Sequence, residues 1–375
     1  MRYLVLLVFA SLTWAASKPD WDGLRQQIRQ ALHVPDPLPN LAEKSYGKFS
    51  PTKDVAADRV SFVTDYLLRV PAIVYHPAGA TITRHPAIII VNGHGGDKSS
   101  WYDYWAGILY ARAGAIVLTY DPIGEFERHW QQRSGTRQHD TTLEPADLAR
   151  RLAGLMITDI LQSVRYLAQR TDVDPKNIAV IGYETGSFMS ALTCALDTSI
   201  HACALVGGGD WDKSSLLCQS IPYQSLSFLG DRGPAIYALN AKRGPTLIYN
   251  GAGNHDEEFY ANLRRQTIIL LGNKKDVFDY QILPGGADQP YFLTKPVALW
   301  LLEKLKFPNW TKKQLESMPE TRAPEGGLPV LGGGIPAVPR ADLRAVPDVV
   351  WSADQDSYIY ESWRARAKAL TEPRP

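Results

Sequence analysis

Apolar, β-branched segments alternate with amphipathic segments through most of this chain, and this alternation limits its fold more than any other feature. Strands are expected at residues 59–64, 72–76, 87–93, 115–121, 178–184, 202–208, 246–251 and 280–283. From the third strand onward, helical periodicity separates the strands, at residues 101–113, 148–169, 186–196, 257–271 and 290–305. Nearly continuous apolar strands between amphipathic helices indicate a parallel sheet covered on both faces. The sequence therefore predicts an α/β protein with about eight strands in one mostly parallel sheet.

The amino terminus has the residue order of a secretory signal peptide. Arg2 precedes an apolar run over residues 3–14, and the small residues Ala15 and Ala16 come next. This is the order of charge, apolar core and cleavage site, and the run is too short to span a bilayer comfortably. We predict a signal peptide at residues 1–16, in preference to an anchor or a buried helix. The mature protein is then periplasmic or extracellular, without a transmembrane segment.

The remaining chain divides into three predicted parts. Residues 17–54 form an N-terminal helical extension with an amphipathic helix near 21–32, and residues 55–307 carry the sheet. Residues 308–375 form an arm rich in proline and glycine, which is typical of an extended segment without its own core. A terminal helix is expected at 357–370. Aromatic residues near the end of the arm predict that it docks onto a surface: Trp351, Tyr358, Tyr360 and Trp363.

Composition excludes several classes of function. Apolar residues make up 45% of the 375, which allows a large core, and the net charge is only +1. A nearly neutral chain gives no indication of binding to nucleic acid or to an anionic surface. No cofactor is expected. The three cysteines, Cys194, Cys203 and Cys218, permit at most one internal disulfide in an oxidising compartment, and the sequence leaves the pairing open.

The end of the strand at 178–184 carries the most informative motif. Gly182 and Gly186 flank Glu184 by two residues on each side, and a helix is predicted to follow. In open α/β sheets the functional site lies beyond the carboxyl ends of the strands. A strand, a tight turn and a helix with this glycine spacing are typical of the nucleophile elbow G-x-S-x-G. We favour this interpretation over an ordinary turn between strand and helix, and it places Glu184 where the elbow has serine.

A second motif follows the strand at 87–93. His94, Gly95 and Gly96 match the position of the glycine-rich loop that turns backbone N–H groups toward a developing oxyanion. Together with the amide of Thr185, this loop can form an oxyanion hole. The alternative is a turn whose glycines only allow the strand to reach its helix.

From about residue 55 to residue 305 the chain resembles the acetyl-xylan-esterase-like and dienelactone-hydrolase-like branch of the α/β hydrolases. The stretches that carry this resemblance are Asn92-Gly-His-Gly-Gly, Thr119-Tyr-Asp-Pro-Ile-Gly-Glu-Phe-Glu-Arg128, Tyr166-Leu-Ala-Gln-Arg-Thr-Asp-Val-Asp-Pro175, Cys218-Gln-Ser-Ile-Pro and Asp288-Gln-Pro-Tyr-Phe. The resemblance implies an α/β-hydrolase fold, a Ser/Asp/His triad and ester or lactone substrates, often acetylated or uronylated plant sugars. It therefore implies a small-molecule or carbohydrate ligand.

All three positions of the implied triad are substituted. The serine position is Glu184, and the acid position is Asn254, with Asp256 as a possible substitute. The histidine position falls on Asp288 or, with a slip of one residue, on Ala287. Serine attack needs a base that accepts the hydroxyl proton and an acid that orients that base. Since none of these roles is filled in the usual way, serine-esterase activity is disfavoured.

Three interpretations remain for such a site. The first is a pseudoenzyme that binds a ligand without chemistry. The second is a hydrolase in which Glu184 and Asp288 act as acid and nucleophile on a glycosidic or ester bond, which needs carboxyls roughly 5 to 9 Å apart. The third is a metal site with ligands from Glu184, Asp288, Asp256 and His255, although no close ligand spacing supports it.

Other residues at the strand ends are candidates for the same site. His94 and His255 lie on loops that can bring them near Glu184, and Asp210 can supply a displaced acid. Aromatic side chains that can provide stacking surfaces for a sugar are Tyr183, Trp211, Trp101, Tyr102 and Trp105.

Overall fold

The computed structural model describes residues 20–79, 84–211, 233–251, 255–272, 278–283, 286, 289–324 and 327–372. The strands are β1 (Lys44–Thr52), β2 (Val55–Val63), β3 (Arg69–Pro77), β4 (His85–Val91), β5 (Ile116–Tyr120), β6 (Val173–Tyr183), β7 (Ala202–Val206), β8 (Thr246–Gly251), β9 (Phe278–Leu283), β10 (Glu320–Arg322) and β11 (Pro329–Leu331). The helices are α1 (Trp21–Ala31), α2 (Trp101–Arg112), α3 (Ala146–Gln169), α4 (Thr185–Leu196), α5 (Gly233–Arg243), α6 (Glu257–Leu270), α7 (Lys295–Leu305), α8 (Lys312–Glu316), α9 (Asp348–Ala353) and α10 (Tyr360–Ala369).

The first nine strands form one sheet in the order β1-β2-β3-β5-β4-β6-β7-β8-β9. The pairs β1/β2, β2/β3 and β3/β5 are antiparallel. The pairs β5/β4, β4/β6, β6/β7, β7/β8 and β8/β9 are parallel. The predicted α/β class with a mostly parallel sheet is confirmed, and the sheet has one strand more than the sequence indicated.

The additional strand is β1, which lies at the edge of the sheet inside the predicted N-terminal helical extension. It pairs with β2, and none of its nine residues is buried. No strand was expected there because its residues, KSYGKFSPT, are largely polar. Backbone pairing with the edge of β2 holds it, together with partial packing of Tyr46 and Phe49 against the core.

The central strands consist almost entirely of apolar residues because helices cover both faces of the sheet. All seven residues of β4 are buried. Ile89 packs into one apolar cluster with Leu161 of α3 and Leu192 of α4. Ile88 and Ile90 pack into a second cluster on the opposite face, which includes residues of α2 and α7. Burial of each such side chain contributes roughly 1.5–3 kcal/mol, so this core stabilises the strands whose ends carry the site.

The C-terminal arm packs against the body of the protein. Its apolar residues join both clusters: Leu315, Val330, Leu343, Trp351 and Tyr358 in one, and Tyr360, Trp363 and Ala367 in the other. Trp363 is fully buried. Helix α10 lies where the sequence predicts a terminal helix, and the aromatic residues that predicted docking are buried in these contacts.

Some predicted features lie outside the described residues. These are the signal peptide at 1–16, Cys218, Asn254, Ala287 and Asp288. Cys194 and Cys203 are buried, with their Sγ atoms 2.7 Å apart. Among the helices in the described ranges, none is long and apolar enough to cross a membrane.

Candidate functional site

The turn between β6 and α4 has the strained backbone of a nucleophile elbow. Glu184 has φ 50° and ψ −120°, a backbone conformation that residues other than glycine rarely adopt. A Cβ at Gly182 would lie 2.5 Å from the Cα of Ser187, and a Cβ at Gly186 would lie 2.2 Å from the carbonyl oxygen of Val91. Both glycines are therefore required by close backbone contacts. Strain of this kind costs of order 1–3 kcal/mol and is concentrated at functional sites.

The carboxylate of Glu184 binds the loop that follows β4. Its Oε2 accepts a hydrogen bond from the backbone N–H of His94 at 2.8 Å, and its Oε1 lies 2.9 Å from His94 Nδ1. A Cβ at Gly93 would lie 2.2 Å from Oε2, so only glycine allows this approach. The side chain of Glu184 remains 23% exposed. Glu184 is thus fixed at the edge of the site but still accessible.

The hydrogen bond between His94 and Glu184 places a negative charge beside a backbone N–H of the loop after β4. The sequence predicts that the loop after β4 donates backbone N–H groups to the oxyanion of an acyl-transfer reaction. Here a carboxylate of this chain accepts that hydrogen bond. Thr185 lies beside it, with Oγ1 2.8 Å from His94 Nδ1, and is nearly buried. The predicted proximity of Glu184, His94 and Thr185 is therefore present in the structure.

A loop after β5 covers His94 from the other side. The ring of His139 stacks on the ring of His94, with centroids 6.0 Å apart and planes 7° apart. Asp140 Oδ2 lies 4.0 Å from His94 Nε2. Burial, together with the nearby imidazole of His94, lowers the pKa of His139 to about 4. His139 is therefore a neutral neighbour at physiological pH, whereas Asp140 adds a second carboxylate to the site.

Glu125 holds this loop in place. Its carboxylate accepts hydrogen bonds from the backbone N–H groups of Thr136 at 3.0 Å and Arg137 at 2.7 Å. Burial raises the pKa of Glu125 to about 7 despite these two bonds. The loop lies close to residues 93–96, which the sequence predicts as an oxyanion loop, since a Cβ at Gly95 would be 3.3 Å from the Cα of Gly135. Sequence reasoning placed Glu125 at the pocket rim but missed the loop that it holds, because residues 129–145 carry no periodic pattern.

A buried charge cluster supports the start of the same loop. Lys98 is fully buried and pairs with the carboxylates of Asp121 and Glu127. Glu127 also accepts hydrogen bonds from the backbone N–H groups of Ala345 at 2.7 Å and Val346 at 2.8 Å. The carboxylate of Glu127 therefore joins the C-terminal arm to the start of the loop that covers His94, and Arg340 adds a second contact by donating to the hydroxyl of Ser134.

A second pair of a carboxylate and an imidazole lies at the ends of β7 and β8. Nε2 of His255 is 3.2 Å from Oδ2 of Asp210. The hydroxyl of Tyr260 donates to the same Asp210 oxygen at 3.1 Å and accepts from Asn250 Nδ2 at 2.8 Å. The ring of Phe259 stacks on the His255 ring at 3.9 Å. Asp210 is nearly buried, while the His255 side chain is 28% exposed.

The second pair is connected to the elbow by short contacts. The backbone N–H of Glu184 donates to the carbonyl of Val206 at 3.0 Å, and a Cβ at Gly208 would lie 2.7 Å from the carbonyl oxygen of Glu184. The N–H of Gly208 donates to Asn250 Oδ1 at 2.8 Å. Asn250 also donates a hydrogen bond to the hydroxyl of Tyr260, which in turn donates to Asp210.

Other predicted site residues have structural roles. Asp256 is exposed and caps α6, accepting a hydrogen bond from the N–H of Phe259 at 2.9 Å. Trp211 is buried and packs edge-on against Phe188 at 5.6 Å. Tyr183 is 8% exposed and packs against Tyr102. These contacts place Asp256 at a helix end and the two aromatic rings in apolar packing.

Gly96, on the oxyanion loop, lies against Tyr102, because a Cβ there would be 2.2 Å from the Tyr102 hydroxyl. Asp288, the predicted partner of Glu184, lies outside the described residues. Within the part of the chain that the structure describes, no group of three or more His, Cys, Asp or Glu side chains is arranged to hold a metal ion.

Comparisons with known proteins agree with this architecture. No family model matches the chain. Among curated proteins, "Putative hydrolase YtaP" of Bacillus subtilis is 34% identical over 125 residues, which cover 32% of this chain and 42% of that protein. The match therefore spans less than half of that relative.

Solved structures resemble much more of the chain. "Methylesterase BT1017" has 18% identity and a TM-score of 0.57, over 94% of this chain and 76% of that one. An acetyl xylan esterase from Paenibacillus sp. R4 has 12% identity and a TM-score of 0.53, over 77% of this chain and 96% of that one. The strand order, the elbow and these similarities together show that the chain has the α/β-hydrolase fold.

Proposed function

We propose that this chain is a ligand-binding protein on the α/β-hydrolase fold and does not act as a serine esterase. One observation carries the proposal: Oε2 of Glu184 accepts the hydrogen bond of the His94 N–H at 2.8 Å. A substrate oxyanion would have to share the N–H of His94 with the carboxylate of Glu184. Two negative charges on one hydrogen-bond donor repel each other. The usual acyl transition state is therefore not stabilised here.

A small molecule or carbohydrate is the ligand class that we propose. The structural neighbours are named as a methylesterase and an acetyl xylan esterase. The Glu184 carboxylate is partly exposed beside His94 and Thr185. A carboxylate accepts hydrogen bonds from hydroxyl groups, and such charge-assisted bonds are about twice as strong as neutral ones. We also propose that the mature protein is secreted, as the amino-terminal sequence predicts.

Turnover and binding are to be measured on the same purified protein. We expect no hydrolysis of 4-nitrophenyl acetate, acetylated xylan or methyl-esterified pectin above the buffer rate, in either the wild type or E184Q. We expect calorimetry to detect binding of xylo-oligosaccharides or of methyl-esterified oligogalacturonides. E184A should weaken that binding about tenfold or more, because a hydrogen bond to a charged group contributes roughly 1.5–3 kcal/mol.

The matched control is Glu316→Gln, which changes an exposed carboxylate on α8 and should leave binding unchanged. Turnover by the wild type that E184Q abolishes would contradict the proposal. So would the absence of binding to both classes of oligosaccharide.

A second candidate is hydrolysis by a carboxylate pair, Glu184 with Asp288. The observation that favours it is that the strained elbow still presents a partly exposed acidic side chain. This candidate predicts a bell-shaped dependence of rate on pH that loses one limb in Asp288→Asn. A rate that responds to neither E184Q nor D288N would eliminate it.

A further inference from the structure

We infer that Cys194 and Cys203 form a disulfide in the mature protein, which leaves the thiol of Cys218 over. The sequence alone left the pairing of the three cysteines open. The inference goes beyond the proposed function, because it concerns a covalent cross-link between α4 and β7 and requires no ligand. It depends on the predicted secretion, since disulfides form and persist in oxidising compartments and are rare in reducing ones.

The two cysteines face each other across neighbouring elements. Cys194 lies near the end of α4, and Cys203 lies near the start of β7. Their Sγ atoms are 2.7 Å apart, and Sγ of Cys203 is also 4.0 Å from the carbonyl oxygen of Ser190, one turn earlier on α4. A disulfide requires cysteines that already lie close together and point toward each other. This pair meets that condition in the folded chain.

The surroundings of the pair protect such a bond once it has formed. Both cysteines are buried and belong to the same apolar cluster, in which α4 packs on the sheet. All twelve residues of α4 are buried. Exposed disulfides are the labile ones, because a reductant must reach a sulfur atom to break the bond. A reductant reaches this pair only when α4 separates from the sheet.

The same two elements carry the elbow at their other ends. Helix α4 begins directly after Glu184, and β7 ends at Val206. The carbonyl oxygen of Val206 accepts hydrogen bonds from the N–H of Glu184 at 3.0 Å and from the Ser187 hydroxyl at 2.9 Å. Hydrogen bonds therefore hold one end of the contact between α4 and β7, and the cysteines lie at the opposite end. We infer that the disulfide fixes α4 against β7 and so supports the elbow.

The bond forms by thiol–disulfide exchange with a disulfide oxidant, such as oxidised glutathione. The thiolate of one cysteine attacks a sulfur atom of the oxidant and displaces one thiol. The thiolate of the other cysteine then attacks the resulting mixed disulfide and displaces the second thiol. The protein loses two electrons and two protons, and the oxidant is reduced to two thiols.

The experiment counts thiols by mass spectrometry. The purified protein is reduced in urea, refolded in a buffer of oxidised and reduced glutathione, denatured again and alkylated with iodoacetamide. We expect one alkylated cysteine in each chain, and three when the protein is reduced before alkylation. Peptide mapping should place the cross-link between Cys194 and Cys203. C218A is the matched control, and it should keep the cross-link and carry no alkylated cysteine.

Three alkylated cysteines in the refolded wild type would overturn the inference, and so would a bond from either residue to Cys218. Failure of the wild type to bind oligosaccharides would contradict the proposed function alone, because the thiol count does not depend on a ligand.

The support of the elbow is tested on the oxidised and reduced forms of the wild type. The oxidised form should melt at least about 3 °C higher. Amide hydrogens of α4 should exchange about tenfold or more slowly in the oxidised form, and those of α2, which packs in the other apolar cluster, should change less. Equal exchange of α4 in the two forms would overturn its role in holding the elbow.

Discussion

The backbone N–H of His94 donates a hydrogen bond to the carboxylate of Glu184 across 2.8 Å. The two residues are 90 positions apart in the chain and meet because β4 and β6 are parallel neighbours whose carboxyl ends coincide. The contact joins the elbow to the oxyanion loop and leaves no space between them. This tight fit can be tested by adding a single methyl group.

Gly93→Ala should destabilise the protein by about 1–3 kcal/mol, the usual effect of overpacking. The added Cβ would lie 2.2 Å from Glu184 Oε2 and 2.6 Å from Glu184 Cβ. Chemical denaturation measures the loss in free energy of unfolding. In an E184G background the loss should shrink, because the clashing atoms are absent. Gly333→Ala is the control, since a Cβ at Gly333 would lie 4.0 Å from its nearest neighbour. Equal losses in free energy of unfolding for the two variants would contradict close packing at Gly93.

Lys98→Met should reduce the free energy of unfolding by about 3–5 kcal/mol, as for a buried ion pair that loses one partner. The substitution leaves the buried carboxylates of Asp121 and Glu127 without their cation. Lys312→Met removes an exposed lysine that pairs with Glu316 and should change stability by less than about 1 kcal/mol. Similar urea midpoints for the two variants would show that Lys98 is not the centre of this cluster.

Glu125→Gln should flatten part of the dependence of stability on pH. Because burial raises the pKa of Glu125 to about 7 from 4.5, the folded state keeps a proton that the unfolded state loses. The contribution of this group to stability is therefore complete below pH 4.5 and is lost as the pH rises to 7. The stability of the wild type relative to E125Q should fall by about 3 kcal/mol between about pH 4.5 and pH 8. If the difference in free energy of unfolding between the wild type and E125Q stays constant across this pH range, the pKa of Glu125 is not raised.

Trp363→Ala should reduce the free energy of unfolding by about 3–5 kcal/mol, the range for truncation of a buried aromatic side chain. The reason is that Trp363, on α10, is fully buried in the cluster formed by α3 and α4. Trp130→Ala provides the comparison, because that tryptophan is 50% exposed. Comparable melting temperatures for W363A and wild type would mean that the arm does not dock through this side chain.

Sequence reasoning recovered the fold because the strands are buried on both faces and therefore read as apolar runs. It failed at β1, whose residues are largely polar and none of which is buried, although Tyr46 and Phe49 pack partly against the core. It also missed α5, since residues 233–243 have no clear periodicity. Local patterns identify elements with a clear apolar periodicity and overlook those without one, even where side chains such as Tyr237 and Leu239 of α5 are buried.

At the site, the elbow turn and the glycine-rich loop after β4 were predictable because each has a spacing of glycines that close backbone contacts require; the oxyanion role of that loop stays a prediction. The pairing of Asp210 with His255 was not predictable as a pair, because it depends on how far β7 and β8 extend before their loops begin. The stacking of His139 on His94 depends on the path of an irregular loop. The role of Asp256 as a helix cap follows from local sequence, but the family position suggested chemistry instead.

The hydrogen bonds from Ala345 and Val346 to Glu127 connect residues 218 and 219 positions apart. Contacts of such long sequence separation form late, because the entropy of closing the intervening loop must be overcome first. During synthesis the carboxylate of Glu127 gains these donors only after residues 345 and 346 have been translated, which is later than every strand of the sheet. Until then the loop that covers His94 lacks the backbone contacts that the arm provides through Glu127.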